Sequence, residues 1–419
     1  MSKNIVKPQT LKGFRDFLPN QLSVRKKVIE IFSQVFEKYG FEPLETPALE
    51  YQETLLGKYG EEAEKLMYLF KDPGQRTVGL KYDLTVPLAR VIGQYPQIPK
   101  PFKRYQIQSV WRADRPQKGR YREITQCDVD SVGISSPLAD AEIIAIIFEA
   151  LKAVNFKQFT IRINSRQVIF QVMESAGVDS KRYLTAIQSI DKLDKKPKEE
   201  VEKELESKKF SNAVIKNVFE NIKKAKPDSY LTELLKYVKL LAVDKNFYVF
   251  DPKLARGLDY YTGPIYETIV TEPKIGSITG GGRYDDLLSM FVGEPTPATG
   301  TTIGLDRTVD VINDLNLWPN FQKQSTKVLI TIFSSSLLEK SLDLVKKMRC
   351  EKINTELYLN QTAKLDRQLK YADKKGIPYV VIIGPDEVKK NVVKLKNMKT
   401  SEQLELNQTE LIKKLKKSG

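Results

Sequence analysis

Apolar residues recur along this chain in two rhythms, and the switches between them mark out its elements. Between Leu22 and Tyr39, Val24, Val28, Ile31, Phe32, Val35, Phe36 and Tyr39 form one stripe at helical spacing, and Gly40 supplies the stop. The next segment, FEPLETPALE, reads as extended and proline-interrupted, because Pro43 and Pro47 cannot sit in a central strand. In TVGLKYDLT, alternation sends Val78, Leu80, Tyr82 and Leu84 one way and Lys81, Asp83 and Thr85 the other. Two apolar–polar segments flank the turn-prone, basic loop ADRPQKGR and predict an antiparallel hairpin over Gln108–Gly133. Its return strand places Arg122, Gln126, Asp128 and Asp130 on one face.

Pro137–Val154 predicts a buried helix with acids in its first turn, and FTIRIN a strand. Residues from about 166 to 245 are helical in pattern, as a helical insertion would be. A polar joint at Asn320–Ser325 separates residues 1–322 from 326–419. From Lys327 onward, the segments VLITIF, TELYL and YVVII alternate with helical stretches, the signature of an α/β domain with a largely parallel core.

Composition narrows the chemistry. With 419 residues, 41% hydrophobic and 29% charged, the chain has room for two or three domains and describes a soluble globular protein. No apolar run reaches the length of a membrane span, and the N-terminus lacks an apolar targeting core, so the expected location is cytoplasmic. A net charge of +15 favours a polyanionic partner, with plain solubility as the alternative. Cys127 and Cys350 make no metal-ligand spacing, so no structural metal is expected. There is no histidine at all, which excludes a Ser-His-Asp triad and a His-bound metal.

A row of cation, amide and carboxylates is hard to build as a dry core, since unpaired buried charge is costly. It suits a ligand bearing both a phosphate and an amine. Arg112, Arg115, Lys118, Arg120 and Arg122 offer forks and point charges to phosphate, although the loop cations alone would also fit a solvated hairpin. Asp83 and Thr85 make an acceptor pair for a primary ammonium group, or else a strand end with a capping threonine. Gly280–Gly282 lack P-loop spacing and read as a strand bend with close backbone approach. Gly300 and Gly304 leave a flat floor, and Arg307 can lie over a purine ring or a γ-phosphate; an Asp306–Arg307 ion pair at a helix start is the alternative.

These stretches together resemble a family. WRADRPQKGRYRE is similar to motif 2 of class II aminoacyl-tRNA synthetases in its histidyl-tRNA synthetase form, and the QCDVD continuation narrows the match. LKYDLTVPLAR, ARGLDYYTG and SITGGGRYDDLL resemble further segments of that family, and TGTTIGLDR resembles class II motif 3. The helix leading into FEPLETP looks like motif 1, and AKLDRQLKYADKKGIPYVVIIG resembles the class IIa anticodon-binding domain.

The resemblance implies an α+β catalytic domain, an antiparallel sheet flanked by helices with a helical insertion, and a C-terminal α/β anticodon-binding domain, assembled as a homodimer. It implies ATP-dependent attachment of L-histidine to tRNA(His) through a histidyl-adenylate, with Mg²⁺ accompanying ATP. Arg256 and Arg112 would be catalytic. Asp83, Thr85, Gln126, Asp130, Tyr260, Tyr261 and Tyr284 would hold histidine. Arg112, Arg122, Glu123 and Arg307 would hold ATP, and Arg115, Gln117 and Lys118 would meet the tRNA acceptor end. Asp130 stands where some members carry Glu, so its shorter side chain must reach farther or use a water. Three rivals share parts of this pattern: a regulatory paralogue from histidine biosynthesis, a non-catalytic RNA-binding protein, and another class IIa synthetase. A histidine-free charging enzyme could also be made when its own product runs short, compositional drift being the alternative. Recoding surface positions to histidine and following enzyme level under histidine limitation tests this; an unchanged level removes it.

Overall fold

The hairpin extends beyond its strongest cues: in the computed structural model, β5 (Phe102–Trp111) and β6 (Glu123–Val132) pair antiparallel from Phe102↔Val132 to Trp111↔Glu123. The structure describes the chain apart from residues 1–5, 57–64, 117–120, 195, 256–259, 320, 322–324 and 418–419. Those described divide into two compact units, one taking in the residues up to Asp16 and Arg25–Pro319, the other Phe17–Val24 and the residues after Pro319.

In the first unit the main sheet is eight-stranded among the described residues, and the hairpin lies near one end of it. Its strands are β1 (Glu42–Pro43), β5, β6, β11 (Ala298–Gly304), β10 (Thr279–Arg283), β9 (Pro264–Ile269), β7 (Thr160–Ser165) and β8 (Tyr248–Phe250), in that spatial order. The run from β5 to β7 is antiparallel, as expected. The edges are not: β1 pairs with β5, and β8 with β7, in parallel, which makes the sheet mixed. Each parallel pair is joined by a long connection: β1 reaches β5 through the small sheet and the helix Thr85–Gln94, and β7 reaches β8 through the helices between Arg166 and Leu240. A small separate sheet holds β2 (Leu49–Tyr51), β4 (Thr77–Leu80) and β3 (Leu69–Lys71).

The helices follow their stripes. In Pro19–Lys38, Val24, Val28, Phe32, Val35 and Phe36 are buried. Helix Pro137–Ala153 is capped by the Ser136 side chain and packs its isoleucines against the back of the sheet. The insertion builds its own part of the core around Ile187, Val201, Val218 and Phe219.

One predicted strand stops early. β4 ends at Leu80, and Thr85 opens the helix Thr85–Gln94. Asp83 Oδ1 accepts from the amides of Thr85 and Val86, so the local competition of an aspartate for backbone donors ends the alternation there. Lys81 therefore does not share a face with Asp83. It is buried, its Nζ donating to Thr46 O and Gln108 Oε1.

The second unit carries a five-stranded sheet among the described residues, with β13 (Thr355–Leu357), β12 (Val328–Ile330) and β14 (Tyr379–Ile382) parallel as expected. β15 (Val393–Asn397) and β16 (Gln403–Leu406) add antiparallel, so this sheet too is mixed. Residues 383–392 and 398–402 are too short for parallel crossovers.

Candidate active site

The register of the main sheet builds a polar row on one face. Gln126, Asp128 and Asp130 of β6 stand opposite Gln108, Gln106 and Arg104 on β5, and opposite Gly304, Thr302 and Gly300 on β11. Directly paired residues share a face. Carboxylates and amides therefore stand beside a floor of small residues, and a cavity of about 570 Å³ opens above them.

Nine of the expected residues line that cavity. Asp83 and Thr85 come from the start of the helix Thr85–Gln94, and Gln126 and Asp130 from β6. Tyr260, Tyr261 and Tyr284 form one aromatic wall, with Tyr260 4.7 Å from Tyr261 and edge-on to Tyr284 at 6.1 Å between ring centroids. Arg112 and Arg307 complete the set.

Each guanidinium is held from behind. Arg112 Nε donates to Tyr82 O at 3.1 Å, and its guanidinium lies 4.4 Å from the centre of the Tyr82 ring. Arg307 follows the sharp turn from β11 into the helix Leu305–Asp314, and its Nη1 donates to Ser277 O at 2.5 Å. The Asp306–Arg307 pair that the sequence left open is not what holds Asp306. Its carboxylate binds Arg15 at 2.5 Å and Arg25 at 2.7 Å and accepts from Thr125 N at 3.0 Å.

The far end of the cavity is the most deeply buried. Asp130 is 3% exposed and accepts from the Tyr284 hydroxyl, and Arg104 reaches it from below at 2.9 Å. Burial raises the Asp130 carboxyl, while Arg104 and the Tyr284 hydrogen bond pull it back down. Burial also pushes Asp128 up to about 8, with Arg104 opposing and Asp130 adding to the shift. Burial, reinforced by Asp130, keeps the Tyr284 phenol protonated. A carboxyl that stays ionised here accepts, and one that keeps its proton donates.

Other expected residues fall elsewhere. Arg122 and Glu123 do not line the cavity. Arg122 Nε donates to Asp114 O and its Nη1 to Lys12 O, because those carbonyls close over it where the β5–β6 ladder ends. Arg115 is exposed on the hairpin loop. Arg256, Gln117 and Lys118 lie outside the described residues. The cavity also takes in Asp114, Tyr121, Ser277 and Thr302, which alternation did not single out, and Tyr82, which alternation had set on the face opposite Asp83. Arg104 beneath it was legible only by carrying the hairpin register across to β5.

Comparison with known proteins identifies the family. The histidyl-tRNA synthetase family matches residues 13–308, and the anticodon-binding domain matches residues 327–418. The chain is 40% identical to a histidine–tRNA ligase of Gloeobacter violaceus, covering 94% of this chain and 95% of that protein. It is 40% identical to that of Aeropyrum pernix, covering 91% of each. The crystal structure of histidyl-tRNA synthetase from a Nostoc species superposes with a TM-score of 0.86 at 29% identity, covering 99% of this chain and 100% of that one. The chain belongs to the histidyl-tRNA synthetase family.

Proposed function

We infer that this cavity performs the reaction of the family, joining L-histidine to tRNA(His) with ATP. The observation that carries the reading is the placement of Arg112 and Arg307 in the same cavity as the buried Asp130–Tyr284 pair. A nucleotide's phosphates and a small polar side chain can then be held side by side.

The first step needs no protein base, because the histidine carboxylate is already an anionic nucleophile. One of its oxygens bonds to the α-phosphorus of ATP, the bond from that phosphorus to the bridging oxygen breaks, and pyrophosphate leaves. What the protein supplies is orientation and charge stabilisation at phosphorus. Arg112 and Arg307 are placed for this, and Arg256 is assigned the same task by its motif. In the second step the terminal tRNA hydroxyl attacks the adenylate carbonyl and AMP leaves. Asp83, Thr85 and Gln126 hold the α-ammonium, the tyrosines enclose the side chain, and Asp130 takes an imidazole N–H. Mg²⁺ enters with ATP and shares its phosphate charge. Among the described residues no three carboxylate or thiol side chains are grouped so as to hold a metal ion.

Arg122 and Glu123 would join ATP only if the nucleotide displaced the contacts that Arg122 makes to Asp114 and Lys12. Arg115, Gln117 and Lys118 are assigned to the tRNA acceptor end, and the C-terminal unit to the anticodon. A homodimer is supported by Leu49, Tyr51 and Phe70, exposed together on one face of the small sheet. No helix among the described residues is long and apolar enough to cross a membrane, which fits a cytoplasmic translation enzyme. ATP–pyrophosphate exchange measured with each of the twenty amino acids tests the reading. Exchange driven by histidine alone supports it, and exchange driven by another amino acid, or by none, rejects it.

A further inference from the structure

The imidazole end of the cavity rests on a side chain that substrate does not reach. Arg104 is fully buried on β5 and stands in register with Asp130, as its neighbour Gln106 stands with Asp128. Arg104 Nη2 lies 2.9 Å from Asp130 Oδ2 but 4.0 Å from Asp128 Oδ2, and it donates to Leu84 O at 3.2 Å. That backbone contact comes from the residue just ahead of the helix Thr85–Gln94, so the guanidinium is fixed from outside the sheet. Asp130 has the Tyr284 hydroxyl on its other oxygen. Asp128 lines the same cavity; its Oδ1 and Asp130 Oδ2 are both buried without a hydrogen bond among the described residues, so the distance to the guanidinium is what separates the two carboxyls.

Two carboxyls on one strand face thus share one buried guanidinium. Out of reach of bulk water, a single cation does not sustain two neighbouring anions. The carboxyl that the cation grips is the one that stays an acceptor.

We propose that Arg104 is a positioning residue for amino-acid selection: by gripping Asp130 and standing off Asp128, it fixes Asp130 as the acceptor for the imidazole N–H. This rests on the assignment of Asp130 to the imidazole made above. Asp128 is then the carboxyl that keeps a proton, and its O–H faces the ring's other nitrogen. Neutral imidazole presents one N–H and one bare nitrogen, so an acceptor beside a donor matches it at both points. Arg104 contributes to selection without touching the substrate.

The test measures KM for histidine and for ATP in the exchange assay with Arg104→Met, Arg104→Lys, Asp130→Asn, Asp128→Asn and the double variant Arg104→Met/Asp128→Asn, each checked for folding by circular dichroism. Arg104→Met should raise the histidine KM by about 30-fold, the size of a lost charge-assisted contact, and move the ATP KM by less than about twofold. Arg104→Lys should recover part of the loss. Adding Asp128→Asn to Arg104→Met should lower the histidine KM again, because the competing carboxyl is gone. A merely structural arginine would not show that rescue. Equal rises in both KM values, or a double variant no better than Arg104→Met, overturn the proposal. If Asp130→Asn raises the histidine KM and Arg104→Met does not, the positioning role alone fails. If Asp130→Asn leaves the histidine KM unchanged, the imidazole assignment fails and the proposal with it. Should Arg104→Met not fold, Asp128→Asn and Asp130→Asn decide between them: a much smaller effect from Asp128 supports the proposal, and equal effects overturn it.

Discussion

Gly300 of β11 faces Asp130 of β6 so closely that a Cβ on the glycine would lie 1.9 Å from Asp130 Oδ1. The carboxylate occupies the space a side chain would take. Gly300→Ala must therefore push Asp130 off Arg104 and Tyr284. The expected result is a histidine KM raised by roughly 10- to 100-fold, the range for displacing a positioned polar group. A KM within twofold of the parent's would show that the close approach has no part in recognition.

Asp130→Ala removes the acceptor outright. The histidine KM should rise much more than the ATP KM, by about 100-fold against about twofold, because a buried donor on the ligand loses its partner. Steady-state kinetics with each substrate varied in turn decides it, and equal changes refute imidazole recognition by Asp130.

Arg307→Ala should act on the nucleotide instead. Losing a guanidinium that steadies phosphate charge lowers kcat for exchange by about 10²- to 10³-fold, and the histidine KM should move little. A variant that lost histidine affinity while keeping kcat would place Arg307 in the wrong half of the site.

Asp306 holds the framework behind Arg307. Its carboxylate pairs with Arg25, itself 6% exposed, and with Arg15, and it accepts from Thr125 N. Asp306→Ala strands a buried guanidinium, at a cost of about 3 kcal/mol or more in unfolding free energy. Denaturant titration of the first unit's transition reads this directly. A midpoint unchanged from the parent's would mean that the triad contributes nothing.

A pH dependence follows from Asp128. Burial pushes its carboxyl from the model-peptide value of 3.8 up to about 8. Between those values the folded chain binds a proton that the unfolded chain has released, so stability falls as pH rises through the window. Each unit contributes at most about 1.4 kcal/mol. Asp128→Asn should flatten that part of the stability profile, and a slope identical to the parent's would show that Asp128 does not hold its proton.

Periodicity alone gave the hairpin, the helical stripes, the insertion and the α/β pattern after Lys327, because each is a local repeat that burial enforces. The polar face Gln126–Asp128–Asp130 was readable for the same reason: alternation in a strand fixes which side chains share a side. What alternation could not see is competition from outside the strand. Asp83 capturing two amides ended β4 at Leu80, and Asp114 and Lys12 carbonyls took Arg122 away from the cavity.

The edge strands β1 and β8 turned parallel because their partners were chosen by packing across long stretches of chain, which no short pattern records. Arg104 belongs to the same class. Nothing in its own segment marks it, and only the β5–β6 register sets it beneath Asp130. Sequence decided which groups stand on each strand face; tertiary structure decided which of those groups meet, because contact between distant segments is settled by register and close packing rather than by any residue's neighbours in the chain.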